Sequence, residues 1–237
     1  MYNQTPPEST GDFTMSPPST NGPTTPANVA NIFPTPIGIY VNDDHSKTKK
    51  VLMEMMKDAP SQKNDISPSL IHYFDDNDSV LIKNKLESFR KWVEEKALIF
   101  AKDVLGYSID ELNVTDSWLN VSNEGAFQQP HMHINSFISG TYYVNMNKNH
   151  SPLFFIHPRN QNFLNVSQSV ISVDCNKENI YQTDVPVSPI EGSLVLWESH
   201  LSHGYPPTQG NNRISLSMNF MPSTVKGGRY SFKTVRR

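Results

Sequence analysis

In the run Gln129-Pro130-His131-Met132-His133 two imidazoles stand two residues apart. Side chains alternate along an extended chain, so residues i and i+2 share a face and both rings can reach one ion without a helical turn. A third donor must arrive from elsewhere. His203, in Ser199-His200-Leu201-Ser202-His203-Gly204, follows a strand that ends at Trp197 and sits in a Gly- and Pro-rich loop able to carry it across a barrel mouth. His200 and His157 compete for that place, as ligand, as substrate contact or as structural histidine, and hydrogen-bonded core histidines without a metal are the plain alternative.

A second constellation follows in Arg213-Ile214-Ser215-Leu216-Ser217-Met218-Asn219-Phe220. The even positions are apolar and the odd ones polar, so a strand here projects Arg213, Ser215, Ser217 and Asn219 from one face. A guanidinium aimed into a barrel interior is costly unless it meets an anion. Its planar fork, with the Ser215 hydroxyl beside it, matches the far carboxylate of a small diacid; an internal salt bridge is the alternative.

These residues need elements to hold them. Ile37, Ile39 and Val41 alternate as an edge strand, and Val51, Leu52, Met55 and Met56 recur at helical spacing until Ala59-Pro60. Ile82, Leu86, Phe89, Val93, Ala97, Phe100 and Val104 step by threes and fours, which predicts a second helix capped by Asp78 or Ser79 and ended at Gly106, with Arg90 to Lys96 as its wet face. From Asn113 onward the pattern is short β-branched and aromatic runs. It predicts strands at Asp116–Ser122, Phe137–Met146, Leu153–His157, Val170–Asp174, Gly192–Trp197 and Ile214–Met221. The expected fold is mainly β with N-terminal helices, closed as a jelly roll.

Composition narrows the function classes. Lys and Arg total 20 against 23 Asp and Glu, a net charge of −3, so no global field attracts nucleic acid. The single Cys175 can form neither an intrachain disulfide nor a thiolate zinc cage, which points to a reducing, intracellular and cytoplasmic setting. No run approaches the roughly 18 apolar residues of a membrane span, and no Lys or Arg precedes Lys47, so a leader lacks its basic end. Residues 1–31, rich in Pro and Thr, are expected to be a disordered tail, with residues 32–237 as the folded domain.

The runs Trp118-Leu119-Asn120, His131 through Val144, Gly192 through His203, and Arg213 through Phe220 resemble, in order and spacing, the Fe(II)- and 2-oxoglutarate-dependent oxygenases, in the uncharacterised branch common in marine bacteria and their phages. That resemblance covers about Phe33 to Pro222. It implies a double-stranded β-helix, with His131 and His203 as iron ligands and Arg213 with Ser215 on the distal carboxylate of 2-oxoglutarate. Tyr143 resembles the strand tyrosine aimed at the same carboxylate, and Asn120 falls within a matching signature, as a further cosubstrate contact. His133 stands where the family carries Asp or Glu. The site would then be one charge more positive before the cosubstrate binds, strengthening its pull on the oxo acid. Glu198, the carboxylate nearest His203 in sequence, falls off the motif. A second departure is Ile156-His157-Pro158-Arg159, where the branch looks like Asp-Pro-Arg.

The activity that the resemblance implies is hydroxylation of a small molecule or peptide, by an enzyme of a bacterium or its phage and of unspecified oligomeric state. Two rivals carry their own tests. A three-histidine, cupin-like metalloenzyme would turn over without 2-oxoglutarate, with Arg213 binding substrate. A non-catalytic jelly-roll module of a phage would keep the histidine cluster without iron. The loop Asn160–Gln168 and the segment Lys177–Val187 are expected to choose the substrate.

Overall fold

The computed structural model describes residues 35–73, 79–156 and 184–234. The tail expected over residues 1–31, the strand expected at 170–174, the loop at 160–168, most of 177–187, His157 and Cys175 lie outside the described residues.

The described strands, in chain order, are β1 (Gly38–Val41), β2 (Ser61–Lys63), β3 (Leu70–Tyr73), β4 (Leu112–Ser122), β5 (Gln128–His131), β6 (Ile138–Asn145), β7 (Leu153–Ile156), β8 (Asp184–Val187), β9 (Ser193–Glu198), β10 (His203–Tyr205), β11 (Arg213–Pro222), β12 (Thr224–Gly227) and β13 (Tyr230–Lys233). A seven-stranded sheet runs β1-β9-β6-β11-β4-β3-β2 and a four-stranded sheet runs β5-β10-β7-β8, with β12-β13 as a separate hairpin. Every pairing is antiparallel. The two sheets face one another as a double-stranded β-helix. Among the described residues no helix is long and apolar enough to cross a membrane.

The large sheet is buried on both faces, and alternation sorts its side chains. Leu119, Tyr142, Val144, Leu194, Leu196, Leu216, Met218 and Phe220 form one core with Leu52 of helix α1 (His45–Met56) and Phe89, Val93 and Ala97 of helix α2 (Glu87–Ile99). The other face meets the small sheet, where Tyr143, Val195 and Trp197 pack against Leu153 and Phe155. One strand thus serves a dry outer core with its even residues and a polar interior with its odd ones. The alternation of β11 has that meaning.

The second helix is shorter than its periodicity implies. Residues Val80–Ile82 and Asn84–Leu86 form 3₁₀ turns, and α2 begins only at Glu87. The Leu81 amide donates to Ser117 Oγ of β4 at 2.9 Å, and the Ser79 and Ser117 hydroxyls lie 2.6 Å apart. Those bonds tie the segment to the sheet in place of a helical ladder. Phe100–Val104 continues α2 as a π-helical turn, and Gly106, at φ +74°, ends it.

Candidate functional site

His131 closes β5 and His203 opens β10, directly opposite each other in an antiparallel pair. His203 therefore lies on a strand and not in the expected loop; three residues between Ser202 and Pro206 are too few to show a period. Gly204 permits this closeness, since a Cβ there would stand 2.5 Å from the Gln128 carbonyl oxygen. His133 lies two residues past β5, its amide donating to the Ser199 carbonyl at 3.1 Å, which fastens this loop to the turn ahead of His203. Met132, between the two histidines, turns outward and is 53% exposed.

The three imidazoles converge. Ligand nitrogens of His131, His133 and His203 all lie within 4.8 Å of one another. Each ring has its Nδ1 engaged by an oxygen: the Gln129 carbonyl at 2.9 Å for His131, Asn219 Oδ1 at 2.5 Å for His133, and the Leu201 carbonyl at 3.0 Å for His203. A carbonyl oxygen only accepts, so each Nδ1 carries the proton and each Nε2 presents a lone pair. Burial lowers the pKa of all three, that of His203 to about 3, with the neighbouring imidazoles adding to the effect at His133 and His203. Three neutral imidazoles, oriented by oxygens behind them, fit a first-row divalent cation.

The remaining histidines and the nearest carboxylate stay outside this cluster. His200 is exposed, and Glu198 accepts a bond from the Tyr107 hydroxyl at 2.8 Å on the opposite side of β9 from Trp197. The Trp118 ring stacks on His133 with centroids 5.8 Å apart, and Trp197 packs on His203 at 4.5 Å.

Beside the histidines a cavity of about 280 Å³ opens between the sheets, lined in part by Trp118, Asn120, Tyr143, Arg213, Ser215 and Ser217. Arg213 is 1% exposed. Its Nε donates to the Ser151 carbonyl at 3.2 Å, and its Cζ lies 4.1 Å from the Tyr205 ring centre and 5.3 Å from that of Tyr143. Among the described residues no carboxylate pairs with it. The internal salt bridge considered from sequence is thus absent there, and a buried cation faces an open cavity. The buried Tyr143 hydroxyl has no hydrogen-bond partner among the described residues; burial pushes its pKa up to about 12, with the Arg213 charge opposing. Tyr143 reaches the cavity from β6 of the large sheet, whereas His131 sits on the small one, so the facing sheets bring them together.

Asn120 lines the cavity, but its amide is engaged by His72 on β3 and by Ser217. Sequence reading missed His72 and Asn64, because the β2–β3 hairpin that carries them is too short and polar to show a strand period. Asn219 was placed on the right face without its task, which is to orient His133.

Residues 116–219 match the family model described as "Putative 2OG-Fe(II) oxygenase". No curated protein matches the chain. Among solved structures, the non-heme α-ketoglutarate-dependent epimerase SnoN from nogalamycin biosynthesis aligns with a TM-score of 0.58 at 11% identity, over 80% of this chain and 77% of that one. HygX from Streptomyces hygroscopicus, solved with nickel, 2-oxoglutarate and hygromycin B, gives 0.53 at 8% identity over 80% and 84%. A Pseudomonas putida prolyl-4-hydroxylase gives 0.52 at 11% identity over 79% and 93%. At such identities these likenesses establish the fold.

Proposed function

Because residues 116–219 match a family model of 2OG-Fe(II) oxygenases, we propose that the protein is an oxygenase using Fe(II) and 2-oxoglutarate, with hydroxylation as its reaction. The observation that carries this reading is one cavity holding both a cluster of three imidazoles with unprotonated Nε2 atoms and a buried guanidinium without a carboxylate partner. His131, His133 and His203 would hold the metal; Arg213 and Ser215, with the Tyr143 hydroxyl, would hold the far carboxylate of the oxo acid. When bound, iron and 2-oxoglutarate would supply, with dioxygen as the oxidant, the hydroxylation of a substrate C–H bond, one oxygen atom going to the product and the other to the succinate left as the oxo acid loses carbon dioxide.

The chain's own share is placement. Arg213 needs an anion, and a diacid gripped there is held with its other end toward the histidines. Asn219, the Gln129 carbonyl and the Leu201 carbonyl fix the three rings in one tautomer, which removes a reorganisation step at metal binding. Phe155 and Trp197, packed with Tyr143 and Val195, form an apolar wall against the His203 ring. His133, neutral where a carboxylate is usual, leaves the centre more positive and favours a dianionic ligand.

Anaerobic addition of Fe(II) and 2-oxoglutarate should give a weak visible charge-transfer band, absent in His131→Ala and weakened in Arg213→Ala. A band that persists unchanged without His131 or His203 would show that the ligand assignment is wrong. The third imidazole favours one other reading, a three-histidine centre that needs no oxo acid; turnover of a substrate without 2-oxoglutarate would select it.

A further inference from the structure

A directional chain of hydrogen bonds runs from the β2–β3 hairpin to the cavity floor. Asn64 Oδ1 accepts from the amides of Ile66 and Ser67 at 3.0 and 2.9 Å, which fixes the amide so that Nδ2 faces His72. Nδ2 donates to His72 Nε2 at 3.2 Å. An imidazole nitrogen that accepts leaves the proton on the other, so His72 Nδ1 donates to Asn120 Oδ1 at 2.7 Å. The Asn120 amide is then fixed in turn, and its Nδ2 donates to Ser217 Oγ at 2.9 Å. Each link determines the polarity of the next, and the chain ends on a hydroxyl that has accepted and has its own proton left to give.

That hydroxyl is well placed. Ser217 lies on the cavity-facing side of β11, four residues after Arg213 and two before Asn219, the residue that orients His133. Along β11 it therefore stands between the guanidinium and the residue that orients His133. We infer that Ser217 donates a hydrogen bond to the metal-proximal, oxo-acid end of the bound 2-oxoglutarate, and that Asn64, His72 and Asn120 are positioning residues that hold its proton in that direction. This rests on the function proposed above and assigns the β2–β3 hairpin a part in cosubstrate binding. Asn120 then acts through Ser217 and not by direct contact.

The test uses the full chain loaded with Mn(II), measuring 2-oxoglutarate affinity by calorimetry and Mn(II) affinity by electron paramagnetic resonance. Ser217→Ala should weaken 2-oxoglutarate binding about ten- to a hundredfold, the worth of one hydrogen bond to a charged acceptor, with Mn(II) affinity unchanged. Ser217→Thr, which keeps the hydroxyl, should restore most of the loss. His72→Ala should weaken the oxo acid by a smaller factor, and the double variant should bind no worse than Ser217→Ala alone, because His72 acts only through that hydroxyl. Equal affinity in Ser217→Ala, or additive losses in the double variant, would overturn the inference. Failure of the unsubstituted protein to bind 2-oxoglutarate at all would instead refute the function on which it rests.

Discussion

Replacing Arg213 by Met should move ligand binding and folding stability in opposite directions. The guanidinium is 1% exposed, and among the described residues its polar contact is one carbonyl, that of Ser151. The unliganded protein therefore holds a buried charge offset by a single neutral acceptor and by the faces of Tyr205 and Tyr143. One hydrogen bond is worth about 1 kcal/mol, and cation–π contact about 1–2 kcal/mol. Leaving a charge in low dielectric costs several kcal/mol. Methionine keeps the apolar stem, removes the charge, and so should leave the ligand-free protein as stable as before or more so. Binding behaves otherwise. Two charge-assisted bonds from the guanidinium to a carboxylate, at about 1.5–3 kcal/mol each, imply a loss of about 3–6 kcal/mol and an affinity lower by about a hundred- to ten-thousandfold. Thermal unfolding with Mn(II), with and without 2-oxoglutarate, reads both effects. At a hundredfold excess over the native Kd the oxo acid should stabilise the native chain by about 2.7 kcal/mol and the variant by no more than about 0.4 kcal/mol. The reasoning is refuted if the oxo acid protects Arg213→Met as well as the native chain. It also fails if the ligand-free variant loses several degrees of Tm, which would mean the guanidinium stabilises the fold itself.

Three other outcomes follow from the same geometry. Gly204→Ala sets a methyl 2.5 Å from the Gln128 carbonyl, so β10 must shift from β5 and part His203 from His131; metal affinity measured by competition with a chelator should fall at least tenfold, together with Tm. Asn219→Leu removes the acceptor of His133 Nδ1 and frees its tautomer, which should cost about 10–100-fold in metal affinity by the same assay. For pH, burial depresses the folded pKa of His203 to about 3 and also lowers those of His131 and His133, so the unfolded chain binds more protons below about pH 6.5. The metal-free protein should therefore lose stability as pH falls, by about 1.4 kcal/mol per unit for His203 alone between about pH 6.5 and 3. Urea midpoints at pH 7.5, 6 and 5 should show the decline, and His203→Ala should flatten it.

What could be read from the residues was set by period. The alternation from Arg213 to Phe220 has eight members, long enough to separate the two faces, and the structure places the odd residues toward the cavity and the even ones beneath the helices. The i, i+2 spacing of His131 and His133 is informative in any extended segment, so the pair was legible although β5 stops at His131. Shorter elements were not. His72 lies in the four-residue β3, and His203 in the three-residue β10 between Ser202 and Pro206. Neither offers a repeat. The helix start was misread because Val80, Leu81 and Ile82 continue the apolar rhythm, whereas Ser117, far along the chain, takes the Leu81 amide. Interactions between residues distant in sequence decided those positions, and no local pattern records them.

The central claim is that one cation is held by three imidazoles and no protein carboxylate. X-ray absorption at the iron edge of the anaerobic Fe(II) protein counts those rings directly, through the outer-shell scattering of coordinated imidazole. The account predicts three imidazole nitrogens at about 2.1 Å, falling to two in His133→Ala. Two imidazoles in the native protein, unchanged by His133→Ala, would contradict it.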